Sequence, residues 1–232
     1  MIDIHCHILP DIDDGPRTFE ESVAMARMAA ADGITGIVAT PHLNEKLYNP
    51  NEISRRVSWL NHLLRIEKIP VSIMRGADVS VLFKPGQIEG FTINDTKYIL
   101  VEFPHTHLPK NSNEILFQFV VNGYKPIITH PERNPSISAN PNLLIQLLVN
   151  NMYVQITAGS LTGEFGKDAQ QCAEHLLRVG VVDVIATDAH SIGHRQPRLS
   201  EGMQAAAKIV GMERAKQMVI GNPTKIISGM QI

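Results

Sequence analysis

Met1-Ile2-Asp3-Ile4-His5-Cys6-His7-Ile8-Leu9-Pro10-Asp11-Ile12-Asp13-Asp14-Gly15 opens the chain, and its reading governs everything downstream. A short apolar lead runs directly into His-x-His and then a cluster of acids, the pattern of a β-strand that ends in metal-binding side chains. In an extended strand residues i and i+2 share a face, so His5 and His7 converge while Cys6 faces away. Two histidines near a chain start are common without a metal. Their weight comes from the recurrence of the same pattern along the chain.

Phe19, Val23, Ala26 and Ala30 have helical spacing between Thr18 and Asp32, Gly33 is a stop, and the strand Ile34 to Thr40 ends in Pro41-His42. Ile115, Leu116, Phe119 and Val120 then lead through Gly123 to the strand Pro126 to Thr129, ending in His130-Pro131-Glu132-Arg133. Leu143, Leu144, Leu147 and Leu148 lead to Tyr153-Val154-Gln155-Ile156-Thr157. Ala169, Ala173, Leu176 and Leu177 lead through Gly180 to Val181 to Thr187, ending in Asp188-Ala189-His190. A further stripe, Ile53, Val57, Leu60 and Leu64, precedes the strand Val71 to Met74 with Asp78 beyond it, and Tyr98 to Val101 ends in Glu102.

Near-continuously apolar strands separated by helices predict a parallel sheet covered on both faces, an α/β fold. Roughly seven strands suit a distorted TIM-like (β/α)7 barrel, one unit short of the usual eight. A doubly wound open sheet is the alternative; the barrel is favoured because ligand-type residues end nearly every strand rather than those at one switch point. No linker or charge block divides residues 1–232, so one domain is expected. The net charge of -2 argues against nucleic-acid binding by bulk electrostatics. With no signal-like start and no bilayer-length apolar run, a cytoplasmic protein without membrane insertion is expected. Cys6 and Cys172 are too few for a disulfide framework.

Barrel closure would gather His5, His7, Asp14, His42, Asp78, Glu102, His130, Asp188 and His190 at one rim. Five imidazoles and four carboxylates exceed the needs of one ion, so two or three divalent metals are expected. The mixed nitrogen and oxygen set suits manganese, iron or zinc. Clustered divalent ions bring a bridging water near neutrality in pKa and clamp phosphoryl oxygens during in-line displacement. The remaining phosphate charge calls for guanidinium partners, and Arg133 and Arg195 occupy the loops after His130 and His190; Arg198 is a weaker candidate.

His5-Cys6-His7, Asp14, Thr40-Pro41-His42, Val101-Glu102-Phe103, Thr129-His130-Pro131-Glu132-Arg133 and Thr187-Asp188-Ala189-His190 together resemble the motif set of the PHP (polymerase and histidinol phosphatase) family. Their order, and Ile12-Asp13-Asp14-Gly15 after the first motif, most resemble its bacterial protein-tyrosine phosphatase branch, the CpsB/YwqE type linked to capsule and exopolysaccharide loci. The resemblance implies the PHP fold and hydrolysis of phosphotyrosine by a metal-activated hydroxide. Its expected substrate is the tail of a bacterial tyrosine kinase that controls polysaccharide export. It places His5, His7, Asp78 and Asp188 on one metal, Asp78, Glu102 and His130 on a second, and Asp14, His42 and His190 on a third. Where this chain has Asp78 the family usually has glutamate, so the bridge is one methylene shorter. A small-metabolite phosphatase acting on a substrate such as histidinol phosphate is the alternative, as is a non-catalytic metal-bound regulator of the kinase. The region of Phe19 to Ser22 helps subunits associate in the resembling branch, which raises a homo-oligomer as an expectation.

No Cys-x5-Arg loop is present, which closes the cysteine-nucleophile route and makes Cys6 dispensable. His105 and His107, between Pro104 and Pro109, form a loop beside the site. Tyr48 is read as surface packing, His62 and His175 as helix-surface residues, and His194 as solvated or supporting the ligands.

Overall fold

The computed structural model describes residues 1–43 and 48–232. Strand β1 (Ile2–Cys6) leads to helix α1 (Phe19–Ala31), whose first turn is capped by the Thr18 hydroxyl accepting the Glu21 N–H at 3.3 Å. Gly33, at φ +87°, ends that helix in the left-handed conformation that a side chain would strain. The chain continues through β2 (Gly36–Ala39), β3 (His42–Leu43), α2 (Pro50–Ile66), β4 (Ser72–Arg75), β5 (Asp78–Ser80) and β6 (Tyr98–Glu102). Next come α3 (Ser112–Val121), β7 (Lys125–Thr129), the short helices α4 (Pro135–Ala139) and α5 (Asn142–Leu147), and β8 (Tyr153–Thr157). The last third holds α6 (Ala158–Thr162), α7 (Lys167–Arg178), β9 (Val184–Ala186), α8 (Ser200–Val210), α9 (Met212–Lys216) and α10 (Asn222–Ile227).

Among the described residues every strand pair is parallel. Among the described residues the ladders form two sheets, ordered β1-β2-β4 and β3-β5-β6-β7-β8-β9, so no single closed barrel ladder runs through the molecule. The strand ladder is interrupted at two steps. Between β2 and β3 stands Pro41, which has no N–H to donate. Between β4 and β5 stands Gly76, where a Cβ would lie 2.7 Å from Val38 Cγ1. The two sheets also meet at their far sides, where the His7 N–H donates to the Ala189 carbonyl at 2.8 Å and the Asp188 N–H to the His5 carbonyl at 2.8 Å.

Alternation along the strands sorts side chains into two cores. Ile99, Val101, Ile128, Val154, Ile156 and Ile185 pack with helix residues such as Leu60, Leu116, Phe119 and Leu176. Ile4, Val38, Tyr98, Leu100, Ile127, Tyr153, Val184 and Ala186 form the smaller second cluster. Simple alternation from Ile4 would send Cys6 to that second cluster, yet Cys6 packs in the first. A register irregularity between Asp3 and Cys6 accounts for the switch and redirects the chain beyond Cys6.

Candidate metal centre

The strand ends and the segments directly beside them converge. β1 carries His5 with His7 just beyond it, β3 begins at His42, β5 begins at Asp78, β6 ends at Glu102, and β7 is followed directly by His130. Asp188 and His190 follow β9, and Asp14 lies in the loop after β1. His130 (φ 32°) and Asp188 (φ 53°) are held in the left-handed region, where most side chains are disfavoured, so the surrounding structure has to impose it.

All nine candidates come together. His5 Nε2 lies 3.1 Å from His7 Nε2, 3.3 Å from Asp188 Oδ1 and 3.7 Å from Asp78 Oδ2. His42 Nδ1 stands 3.3 Å from Asp78 Oδ2 and 3.5 Å from Glu102 Oε2, while His130 Nε2 approaches Glu102 Oε1 at 3.3 Å. On the outer side Asp14 Oδ1 is 3.1 Å from His190 Nε2 and 3.7 Å from His42 Nε2. Asp78, although shorter than glutamate, thus reaches histidines on two sides.

Four sets have ligand atoms mutually within 4.8 Å: His7, Asp14, His42 and His190; His5, His130 and Asp188; His5, His7 and Asp78; and His42, Asp78 and Glu102. Sharing of His5, His7, His42 and Asp78 between sets makes one contiguous cluster. The grouping differs in detail from the implied partition, because His130 falls with His5 and Asp188, and His7 joins the Asp14 set.

A direct test of fit is whether the ligand atoms already have partners. His42 Nδ1, Asp78 Oδ2, Glu102 Oε1, Asp188 Oδ1 and His190 Nε2 are buried and make no hydrogen bond of acceptable geometry. Leaving a buried polar atom unpaired costs on the order of 1–3 kcal/mol, and more for a charged group. Five such atoms facing a shared space fit divalent cations.

The electrostatics of the cation-free cluster are uneven. Burial lowers His5 to about 4, against the pull of Asp188 and Asp78. Burial would also lower His7, but its hydrogen bond with Asp13 and the nearby charges of Asp13 and Asp188 raise it to about 10. Burial opposes ionisation of Asp78 and Asp188, yet the surrounding imidazoles hold both low. The neighbouring His190 imidazole likewise holds Asp14 low. Metal ligation needs neutral imidazole, so loading this site displaces protons.

Arg133 Nη1 and Arg195 Nη2 both donate to Asp188 Oδ2, and Arg195 Nε donates to the Asp188 carbonyl at 3.1 Å. The two guanidiniums expected at the phosphate are therefore brought together, but on a carboxylate. Arg198 lies apart, 4.0 Å from Glu201. His105, exposed, reaches Glu102 Oε1 at 3.4 Å, whereas His107 pairs with Thr106 at 2.9 Å. Tyr48 packs against the core as expected, and its hydroxyl also donates to the Ile12 carbonyl.

Supporting residues were not individually legible from the motifs. Asp13 accepts from His7 Nδ1 at 2.7 Å, the His42 N–H at 3.1 Å and the Gly15 N–H at 3.0 Å. Gln155 Oε1 lies 2.8 Å from His5 Nδ1, and the Thr129 hydroxyl donates to Asp78 Oδ1 at 3.3 Å. A glutamine in the middle of the apolar Tyr153–Thr157 strand was the available signal for Gln155. Fixing the far nitrogen of a histidine in this way sets its tautomer and aims the near one.

Residues 1–228 match the family described as "Capsular polysaccharide synthesis, CpsB/CapC". Tyrosine-protein phosphatase YwqE of Bacillus subtilis (strain 168) is 38% identical over 222 residues, covering 92% of this chain and 86% of that protein. Tyrosine-protein phosphatase CpsB of Streptococcus pneumoniae is 29% identical over 238 residues, 98% of each chain. The fold superposes with a TM-score of 0.94 and 36% identity, over 100% of this chain and 96% of the other, on a crystal structure from a study of Bacillus subtilis YwqE and Streptococcus pneumoniae CpsB, described there as unique metal-dependent tyrosine phosphatases. The chain belongs to the CpsB/CapC family of capsular polysaccharide synthesis proteins.

Proposed function

We propose that this chain is a metal-dependent protein-tyrosine phosphatase of capsular or exopolysaccharide synthesis, acting on the phosphotyrosine tail of a bacterial tyrosine kinase in the cytoplasm. The observation that carries the reading is the convergence of five unpartnered buried ligand atoms beside two arginines. His5, His7, Asp14, His42, Asp78, Glu102, His130, Asp188 and His190 would hold two or three divalent ions, with manganese the best match and iron or zinc able to substitute. Bound there, such ions supply Lewis-acid stabilisation of phosphoryl oxygens and a water that ionises near neutrality. Arg133 and Arg195 take the phosphoryl oxygens, exchanging Asp188 for the ester. Asp13, Gln155 and Thr129 hold the ligands in orientation.

Asp14, with a side chain 61% exposed, leaves the cluster accessible from its outer side, which supports a protein-borne phosphate as substrate. No helix among the described residues is long and apolar enough to cross a membrane. The same reading takes residues 1–232 as one domain and the two sheets as one ring of roughly seven strands, with β2–β3 and β4–β5 each a single interrupted member. Association of copies through the Phe19 to Ser22 region is part of the proposal.

The test compares a phosphotyrosine peptide with histidinol phosphate on manganese-loaded protein. Hydrolysis of the peptide, lost on chelation and restored by the ion, is the expected result. Turnover of histidinol phosphate alone would move the assignment to a metabolite phosphatase. Kinase-tail binding without turnover would make the protein a regulator.

A further inference from the structure

Arg133 is shared between the metal cluster and a second feature. Its Nη1 reaches Asp188, while its guanidinium carbon lies 4.3 Å from the centre of the Phe165 ring, and both Arg133 and Phe165 line a cavity of about 730 Å³. Residues of α4 and α7 form its other walls.

Glu132 also lines this cavity and is fully buried. Its Oε1 accepts from the Thr157 N–H at 2.9 Å and the Ser160 hydroxyl at 2.6 Å. Its Oε2 has no hydrogen-bond partner, and no cation pairs with Glu132 among the described residues. Ser138 Oγ, another lining residue, is likewise unpartnered. Asp168, in the first turn of α7, adds an exposed carboxylate. Among the described residues, the basic ones lining the cavity are Arg133, already paired with Asp188, and the exposed His175.

An uncompensated carboxylate beneath low-dielectric walls focuses negative potential into the space above it. Phe165, Pro135 and Ala139 supply apolar wall for an aliphatic stem. A lysine ammonium or arginine guanidinium carries donors and no acceptor, the complement of Glu132, Ser138 and Asp168. An acidic group would meet only repulsion from those carboxylates.

We infer that this groove is a specificity subsite for a basic side chain flanking the phosphotyrosine of the substrate polypeptide, an inference that rests on the phosphatase reading above. Arg133 then stands between the two sites, with the phosphate on one side and the neighbouring residue of the same polypeptide on the other.

The test uses matched phosphotyrosine peptides carrying lysine or uncharged norleucine at each flanking position in turn. Preference is read twice, as kcat/KM on manganese-loaded protein and as Kd by fluorescence anisotropy on the metal-free chain. The expected result is a preference for lysine of about tenfold at one position in both assays, the size of one charge-assisted contact. Glu132→Gln and Ala139→Trp should each bring the ratio toward one. Ala139 is exposed at the end of α4, so its variant reports even if Glu132→Gln does not fold. A wild-type ratio near one at every position, or one unmoved by Ala139→Trp, overturns the subsite. Absent hydrolysis with the lysine preference in Kd intact overturns the phosphatase reading and supports the groove.

Discussion

At Asp13 one carboxylate serves three neighbours: the His7 ring, the His42 backbone and the Gly15 backbone. It orients the ligand just beyond β1 and the start of β3 together, so its charge bears on the whole outer half of the cluster. Asp13→Asn keeps the volume but weakens the hold on His7, and manganese affinity by calorimetry should fall about 10- to 100-fold; an unchanged affinity would remove Asp13 from this role. The nine ligand candidates were legible because each follows or ends an apolar strand, where chain order alone predicts convergence. Asp13 and Gln155 were not, because their partners lie on other elements and no local spacing encodes that meeting. The pairing of both arginines with Asp188 was equally hidden, since charge matching between loops depends on how the rim closes.

Between elements, Asp3 ties the first strand to the segment after the last one. Its buried carboxylate accepts the Thr187 N–H at 3.0 Å, the Thr187 hydroxyl and the His5 N–H at 3.3 Å. Burial raises Asp3 to about 6, in spite of those hydrogen bonds, from an ordinary value of 3.8. The folded chain therefore binds the extra proton between those values, and this group's contribution to stability improves as pH falls through that window. In metal-free protein Asp3→Asn should be more stable than wild type at neutral pH by on the order of 3 kcal/mol. Urea titrations should show the gap closing below about pH 4; a gap independent of pH would mean that this carboxyl does not titrate there. Element types were readable from periodicity, as Phe19–Ala31 and Tyr153–Thr157 illustrate. Boundaries were less so: the Val181 to Thr187 strand shrinks to Val184–Ala186, because only those residues pair with β8. The second and third apolar strands are interrupted at Pro41 and at Gly76, and the close approach to Val38 that Gly76 permits has no local sequence signal.

Across the whole molecule, thiol chemistry is set apart from the proposed reaction. Cys6 and Cys172 are both buried; burial raises Cys6 well above the ordinary thiol range and pushes Cys172 up to about 12. Iodoacetamide should therefore leave phosphatase activity intact under conditions where a chelator abolishes it, and inactivation with metal content unchanged would contradict the mechanism. The left-handed backbone at Asp188 bears on how an inert enzyme should be made. Alanine there would remove the carboxylate and also sit badly on a positive φ, mixing lost chemistry with a misfolding cost of about 1–2 kcal/mol, whereas asparagine tolerates that conformation. Asp188→Asn would also free two guanidiniums from their anionic partner, making it the natural substrate trap: slower release of a phosphotyrosine peptide than from wild type, measured by stopped-flow, with no turnover.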